Sequence, residues 1–539
     1  MTEAERRRAV AQLLVVRASG HSGDRQRRYP RWEHNNHELK RLLNSGVGGV
    51  ILLGGTATEL QQRCRTLRSW CPDGDLLLCA DVEEGVGQRF EGGSWFVPPM
   101  ALGRLQTRSP ERALALAERY GRTTGQQAMR CGLNWVLAPV CDVNSNPANP
   151  VINVRAWGDQ ALAVADLVEA FHRGLNASGV LGCAKHFPGH GDTAEDSHLE
   201  LPLIRHTRER LEELELMPFR RLIASDVASV MTAHLLVPAL DPEKPATLSA
   251  AVLTDLLRRD LGFRGLVVTD ALVMEAISQR VGAAEAAVQA FEAGADLILM
   301  PADADAAIDG LCRALSSGRI DESRLSESLE RRTEALQRCR EASVDNCFDV
   351  EVETGQDHGL CLELVDASLE LQGPHLPAVA AQTGVTLIRV DGVLPCPYLH
   401  RDAPALTTPE QRGYRPVICH RNGIEPWREC DLRAEPLDLK RLGEGPVFLQ
   451  LFLRGNPFSA GQLRHEPWAE AIQQLLRVDR LAGLAVYGCP YRWDSLRALL
   501  PDTIAAGYCP GQMPEAQGRL LSRMIGADDE QRHRRDFTD

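Results

Sequence analysis

The stretch that decides the fold of this chain is Val180-Leu-Gly-Cys-Ala-Lys185-His-Phe-Pro-Gly-His190-Gly-Asp-Thr-Ala-Glu-Asp-Ser-His198. It opens with an apolar run that is typical of a buried strand, and Pro188, Gly189 and Gly191 prevent a helix or strand from continuing. Three histidines and three acidic residues follow within positions 185–198. Loops at the C-terminal ends of strands carry the reactive groups of α/β enzymes, so the stretch predicts a strand and a catalytic loop. A polar surface loop that happens to be rich in histidine is the alternative.

Seven more apolar runs of strand character lie before residue 300, and helical patterns separate them. The eight predicted strands are 12–16, 48–53, 75–81, 133–142, 180–186, 227–234, 265–270 and 295–300, and the clearest helices are 109–131, 161–178 and 283–293. This alternation predicts parallel βα units, and eight strands are the number that a closed barrel needs. A doubly wound open sheet would give a similar alternation. No Gly-x-Gly-x-x-Gly follows the first strand, which disfavours its nucleotide-binding form.

The pattern predicts a second domain after residue 340. We expect a catalytic domain at 1–340, an acidic linker at 341–358, a smaller α/β sandwich at 359–526 and a charged tail at 527–539. In the second domain the predicted helices are 360–369, 468–475, 493–500 and 513–525, and the predicted strands are 385–390, 446–452, 481–487 and 503–507.

Composition excludes several classes of function. The chain has 539 residues, with 60 Lys and Arg against 73 Asp and Glu, and its net charge of −13 argues against a nucleic acid or an anionic membrane as the main partner. No run approaches the roughly 18 apolar residues of a membrane span. The fifteen cysteines show no Cys-x-x-Cys spacing. A reduced, cytoplasmic enzyme is therefore expected.

Polar residues recur where the predicted strands end. Asp81, Asp142, Lys185, His234 and Asp270 each close one of five consecutive strands, as expected for one catalytic face. A single Asp at such a position has another explanation, because Asp favours turns and helix caps. Asp270 could cap a helix that begins at Ala271, or it could be a nucleophile.

These residues lie in motifs that resemble glycoside hydrolase family 3. The motifs are the segment from Lys185 to His198 and the segments 138–150, 231–234, 245–249 and 261–272. The loop with Asp196-Ser-His198 looks like the bacterial β-N-acetylglucosaminidase branch, which includes enzymes of cell-wall recycling. The resemblance covers about 8–340, and it is weaker in the second domain, where it rests on 487–491 and 507–516.

The resemblance implies a (β/α)8 TIM-type barrel and a retaining exo-β-N-acetylglucosaminidase that removes terminal N-acetylglucosamine from cell-wall saccharides. It implies that Asp270 is the nucleophile and that His198, oriented by Asp196, is the general acid/base. It also implies that five residues hold the non-reducing-end sugar: Asp81, Arg89, Arg155, Lys185 and His186. The loop Asp81-Val-Glu-Glu-Gly-Val-Gly-Gln-Arg89 keeps the first Asp and last Arg of the family pattern but lacks one of its glycines and its internal Arg.

The chemistry suits these groups. An oxocarbenium-like transition state needs a carboxylate beneath C1 and a proton donor at the leaving oxygen. A histidine held by an aspartate can be that donor, because an unperturbed histidine titrates near ~6.5. We predict that His198 lies on a segment that closes over the sugar, with Gly189 and Gly191 as hinges.

No cofactor is expected, and Pro188 and Gly189 make a helical metal site of His186, His190 and His198 improbable. Three other functions remain open at this stage: a glycoside phosphorylase, because a neutral histidine does not repel phosphate, a β-glucosidase, and a sugar-binding protein whose catalytic site has decayed. The natural aglycone, the oligomeric state and the role of the second domain also remain open.

Overall fold

The structure is a computed structural model, and it describes residues 1–193, 201–274, 277, 281–342, 351–390, 396–420, 436–454 and 466–526. The chain divides into two compact units: Met1–Trp95 with Leu102–His358, and Phe96–Ala101 with Gly359–Asp539. No helix in these described ranges has the length and apolarity that a membrane crossing requires.

The described residues of the first unit form eight short strands. They are β1 Leu14–Ser19, β2 Gly49–Leu53, β3 Leu77–Ala80, β4 Trp135–Val136, β5 Cys183–Phe187, β6 Ser229–Thr232, β7 Leu266–Val268 and β8 Ile298–Leu299. One sheet has the order β4-β3-β2-β1-β8 and the other has the order β5-β6-β7. Every pair within them is parallel, so the first unit is an α/β structure.

Backbone hydrogen bonds also join the two sheets. The N–H of Val136 donates to Leu181 O at 2.8 Å, beside β5. The N–H of Thr269, directly after β7, donates to Leu297 O at 3.0 Å, directly before β8. Each strand is therefore bonded to its neighbours in the chain.

Helices follow most of these strands. Their bounds are Glu3–Ala11, Asn36–Asn44, Ala57–Trp70, Met100–Gln106, Pro110–Arg130, Ala161–Asn176, Arg208–Arg210, Met217–Ala224, Ala283–Ala293, Ala304–Ser316 and Glu322–Ala342, with π-helical turns at Leu211–Glu215 and Ala251–Asp260. Sequence signals set several ends. Thr56 and Glu59 form a capping box, and Gly294, at φ 127°, ends the helix Ala283–Ala293.

The period of two along a strand explains where the polar groups lie. Val15, Cys79 and Cys183 belong to one buried apolar cluster between the strands. Two residues further on, and therefore on the same face, come Arg17, Asp81 and Lys185. The interior therefore changes from apolar to charged at the carboxyl ends of the strands.

The second unit has its own sheet. Its strands are β9 Glu370–Gln372, β10 Gly384–Val390, β11 Tyr414–Cys419, β12 Val447–Leu453, β13 Leu481–Gly488 and β14 Ala505–Cys509, in the order β11-β10-β12-β13-β14-β9. All pairs are parallel except that of β9 with β14. The helices after β9 are Pro404–Gln411, Trp468–Arg477, Pro490–Arg497 and Pro514–Ile525, and Gly355–Ser368 precedes it.

The structure corrects parts of the sequence prediction. The strand predicted at 133–142 is only Trp135–Val136, and Pro139, which has no N–H, interrupts the ladder beyond it. The prediction that a helix begins at Ala271 is wrong, since residues 271–274 form a turn in which the N–H groups of Leu272 and Val273 donate to Leu299 O and Met300 O. The prediction missed β9, β11 and the helix Pro404–Gln411. Residues 343–350 of the predicted linker and the whole tail, 527–539, lie outside the described residues.

Candidate active site

A buried ammonium group organises the carboxyl ends of β3 and β5. Lys185, on β5, is 1% exposed, and its Nζ lies 2.8 Å from Asp81 Oδ1 and 2.7 Å from Glu83 Oε1. Arg155 donates from Nε and Nη2 to the two oxygens of Glu83, each at 2.8 Å. The cations of Lys185 and Arg155 and the carboxylates of Asp81 and Glu83 thus form one network at the carboxyl ends of β3 and β5.

The charges in this network stabilise one another. Burial opposes ionisation of Glu83, but Arg155 and Lys185 outweigh it and hold the pKa of Glu83 well below its ordinary value. Burial would also lower the pKa of Lys185, yet Asp81 and Glu83 raise it above the ordinary value. Glu83 and Lys185 are therefore both charged at neutral pH.

Asp81 is the most exposed member of this network. Its side chain is 36% exposed, whereas that of Glu83 is 3% exposed. Arg89, directly after the 3-10 turn Val86–Gln88, donates from Nε to Asp81 O at 2.9 Å. A carboxylate can accept several hydrogen bonds, so Asp81 can bind Lys185 and sugar hydroxyls together.

A second polar group is built around Asp142, which is completely buried. Its carboxylate accepts from His186 Nδ1 at 2.7 Å and from the backbone N–H of His190 at 2.7 Å. Burial opposes ionisation of Asp142, but His186 and His190 outweigh it and lower the pKa of Asp142. The Asp142 contact places the hydrogen of His186 on Nδ1.

Asp270 lies two residues beyond the last residue of β7 and is partly buried. Its Oδ1 accepts from the N–H of Ala271 at 2.7 Å, and its own N–H points to Thr232 Oγ1 at 3.4 Å. Buried His234 contacts the next residue, with its Nε2 3.1 Å from Ala271 O, and its Nδ1 lies 2.8 Å from Thr247 Oγ1. The ends of β6 and β7 thus fix the backbone on both sides of this carboxylate.

Cys183, on β5, shows that Asp270 and the lysine network border the same interior. Burial raises the pKa of its thiol to about 12. Cys183 shares one buried apolar cluster with Cys79 of β3 and Val268 of β7, and Lys185, Asp81 and Asp270 each follow one of these three residues by two positions. The structure therefore brings together Asp81, Arg155, Lys185 and Asp270, and Arg89 contacts Asp81 directly.

Two predicted residues cannot be compared with the structure. His198 and Asp196 both lie outside the described residues. Of the two glycines predicted as hinges, Gly191 packs so tightly that a Cβ there would overlap Val143 O. Gly189 has φ 129°, and a Cβ there would lie 2.8 Å from Cβ of Glu215. Both glycines therefore permit close packing.

Glu83 was not predicted as a site residue, and Asp142, Thr232 and Thr247 were given no role. The spacing of two residues between Asp81 and Glu83 was a usable signal. Asp142 was noted only as the end of a strand. Within the described ranges, no group of three or more His, Cys, Asp or Glu side chains could hold a metal ion.

Two family models match this chain. Residues 6–335 match the model of the glycosyl hydrolase family 3 N-terminal domain, and residues 378–526 match that of the bacterial glycosyl hydrolase family 3 C-terminal domain. Over 395 residues the chain is 32% identical to a beta-hexosaminidase A of Pseudoalteromonas piscicida, covering 66% of this chain and 62% of that protein. A beta-hexosaminidase of Nitrosomonas eutropha is 36% identical over 274 residues, which cover 50% of this chain and 77% of that protein.

A solved structure is similar over nearly the whole chain. The glycoside hydrolase family 3 beta-N-acetylglucosaminidase of Paenibacillus sp. str. FPU-7 superposes with a TM-score of 0.77 at 29% sequence identity. The match covers 96% of each chain.

Proposed function

This chain belongs to glycoside hydrolase family 3, and from that premise we propose that it is a retaining exo-β-N-acetylglucosaminidase that removes terminal N-acetylglucosamine from small saccharides. The carrying observation is that Asp270, Lys185 and Asp81 follow residues of one buried apolar cluster at the carboxyl ends of the strands, and that Lys185 and Asp81 form an ion pair there. The names of the similar proteins, beta-hexosaminidase and beta-N-acetylglucosaminidase, favour N-acetylglucosamine over glucose. Saccharides derived from the cell wall are the proposed natural substrates.

In the first step Asp270 attacks C1 of the sugar. As the carboxylate oxygen bonds to C1, the bond from C1 to the leaving oxygen breaks, and His198 gives that oxygen a proton. Asp196 orients the His198 ring and stabilises its protonated form. In the second step His198 takes a proton from water, the water oxygen bonds to C1, and the bond to Asp270 breaks. The sugar leaves with its original anomeric configuration, and no cofactor takes part.

The hydrogen bonds around Asp270 support its role as nucleophile. The N–H of Ala271 holds Oδ1, and the contacts of Thr232 and His234 fix the backbone from which the carboxylate projects. An ordered nucleophile lowers the entropic cost of reaching the attack geometry.

The sugar would be held on the opposite side of this interior. Asp81 accepts hydrogen bonds from its hydroxyls, and Lys185 and Arg89 donate to its oxygens. Arg155 acts through Glu83, which keeps Lys185 in place. His186 is positioned by Asp142 at the end of β5. The bound ring is thereby fixed with C1 toward Asp270.

We also propose the architecture around this site. The bonds from Val136 to Leu181 and from Thr269 to Leu297 support a closed barrel of β1 to β8. The proposed domains are the barrel at 1–340, a linker at 341–358 and an α/β sandwich at 359–526. We place the enzyme in the cytoplasm, because its many cysteines follow no paired pattern.

A panel of aryl β-glycosides tests the function. We expect the N-acetylglucosaminide to be hydrolysed with a higher kcat/KM than the glucoside, and proton NMR to show the β-anomer first. A faster glucoside would indicate a β-glucosidase. Sugar 1-phosphate formed in phosphate buffer, with little free sugar in a non-phosphate buffer, would indicate a phosphorylase.

A further inference from the structure

The segment between β1 and the helix Asn36–Asn44 is rich in arginine and aromatic residues that the proposed mechanism does not use. It contains Arg25, Arg27, Arg28 and Arg31, together with Tyr29 and Trp32. It leaves the carboxyl end of β1, the end of the strands at which Asp81 and Asp270 also lie. We refer to residues 25–32 as the rim segment.

The rim segment is held firmly in place by Glu33. The carboxylate of Glu33 is buried and accepts the backbone N–H of Tyr29 at 3.0 Å. The carbonyl of Glu33 accepts from Arg27 Nη1 at 2.7 Å, and the N–H of His34 donates to Arg17 O on β1 at 3.0 Å. The side chains of the segment therefore start from a fixed backbone.

The aromatic rings hold guanidinium groups over their faces. The Tyr29 and Trp32 centroids are 5.9 Å apart with their planes inclined at 35°. Arg28 lies 5.7 Å from the centroid of Tyr29, and Arg31 lies 5.9 Å from that of Trp32. Both arginines are exposed, while both rings are half-buried. Ring faces and exposed cations are thus presented side by side.

The rim segment lies close to the proposed nucleophile. Val273, three residues after Asp270, donates its N–H to Met300 O, and the N–H of Met300 donates to Val15 O on β1. Neighbouring strands are about 5 Å apart, so the ends of β7 and β1 are separated by roughly 10 Å. Trp32 packs against the apolar cluster that contains Leu299 and Met300. A group attached to a sugar above Asp270 can therefore reach the segment.

Arg17, on β1, is a second link between the rim segment and the proposed sugar site. Its guanidinium lies 5.0 Å from the centroid of Tyr29. Burial lowers the pKa of Arg17, while the charges of Glu33 and Asp81 act in the opposite sense. Arg17 therefore contacts the rim segment, and it lies on the same face of the strands as Asp81, because the two residues follow Val15 and Cys79 of one apolar cluster by two positions.

We propose that Arg28 and Arg31, beside Tyr29 and Trp32, form the subsite for the leaving group and select aglycones that carry a carboxylate next to a ring. This inference rests on the proposed glycosidase function. Arginine binds carboxylates through paired N–H groups, and aromatic faces stack on flat or sugar rings. Because the whole chain carries a charge of −13, an anionic aglycone is repelled except where cations are concentrated.

The test compares two substrates that differ in one charge, 4-nitrophenyl N-acetyl-β-glucosaminide and its 3-carboxylated derivative. The variants are Arg28→Gln, Arg31→Gln and the double variant. Arg25→Gln is the matched control, because Arg25 is exposed on the turn Asp24–Gln26 and is not stacked on either ring. For each variant, kcat/KM is divided by the wild-type value for the same substrate, which removes the difference in leaving-group reactivity.

We expect the double variant to lose about tenfold in kcat/KM for the carboxylated substrate and less than about twofold for the neutral one, as for two partly exposed ion pairs. Arg25→Gln should leave both values unchanged. Higher ionic strength should lower the kcat/KM of the wild type for the carboxylated substrate only. Equal losses for the two substrates, or none, would overturn the inference and leave the proposed function intact. If the wild type hydrolysed neither substrate, the proposed function and the inference would both fail.

Discussion

The Nζ atom of Lys185 lies 2.8 Å from Asp81 Oδ1, although 104 residues separate the two in the chain. Lys185 is buried, whereas the Asp81 side chain is about one-third exposed. The ion pair therefore extends from the buried interior to the partly exposed surface at which we propose that the sugar binds. Glu83, on the buried side of Lys185, completes the charge balance.

Removal of the Glu83 charge should destabilise the protein and weaken substrate binding. Glu83→Gln leaves Lys185 and Arg155 without their shared buried counter-charge, so we expect the free energy of unfolding to fall by about 3–5 kcal/mol. KM should rise because Lys185 and Asp81 lose their alignment. Chemical denaturation and steady-state kinetics measure the two effects. Glu84→Gln is the control, since Glu84 is equally buried but accepts from Trp95 Nε1, a bond that glutamine can preserve. Equal effects of both substitutions would contradict the role of the network.

Replacement of the proposed nucleophile should abolish turnover without unfolding the chain. Asp270→Asn keeps an oxygen for the N–H of Ala271 but cannot form the covalent intermediate, so we expect kcat to fall by at least about 10³-fold. Thermal unfolding should change little. Turnover close to that of the wild type would exclude Asp270 as the nucleophile.

The effect on rate of removing the proposed acid/base should depend on the pKa of the leaving group. In His198→Ala, substrates whose leaving group has a high pKa should react about 10²–10⁴-fold more slowly, because such a group departs only when it is protonated. Nitrophenolate leaves without a proton, so the rate of the first step with nitrophenyl substrates should fall much less. A plot of log kcat/KM against leaving-group pKa should therefore be steeper for the variant. Parallel plots would show that His198 does not donate the proton.

The buried His190 should make stability depend on pH. Burial lowers the pKa of its ring to about 4 in the folded protein, against the attraction of Asp142 and Asp270, whereas an unfolded histidine titrates near about 6.5. Between these pH values the unfolded chain binds a proton that the folded chain does not. Stability therefore falls as the pH decreases through this window, by up to about 3 kcal/mol for this residue.

His190→Gln should reduce that decline. The measurement is the free energy of unfolding from denaturant titrations at several pH values between about 7 and 4. His37→Gln, at an exposed position, is the control and should leave the slope unchanged. A slope identical to that of the wild type in His190→Gln would show that this ring is not buried in its neutral form.

Local sequence information was sufficient for many of the elements. The helix Ala283–Ala293 was predicted with its observed ends, because its alanine-rich pattern stops at Gly294. The strands Gly49–Leu53 and Gly384–Val390 were predicted to within one residue, since β-branched apolar runs are bounded there by glycine or charge. The helix does not begin at Ala271 as expected, because the N–H groups of Leu272 and Val273 donate to Leu299 O and Met300 O at the end of β8, and local periodicity does not reveal these partners.

The sequence by itself determined the family, the alternation of strands and helices, and the residue types available for glycoside chemistry, because these follow from hydrophobic period and from ordered motifs. Only the tertiary structure decided that Glu83 binds both Lys185 and Arg155, that Asp142 anchors His186, and that Thr232 and His234 support the backbone around Asp270. These contacts join parts of the chain that lie tens of residues apart. Hydrogen-bond geometry and the balance between desolvation and charge pairing exist only when the strand ends meet in space.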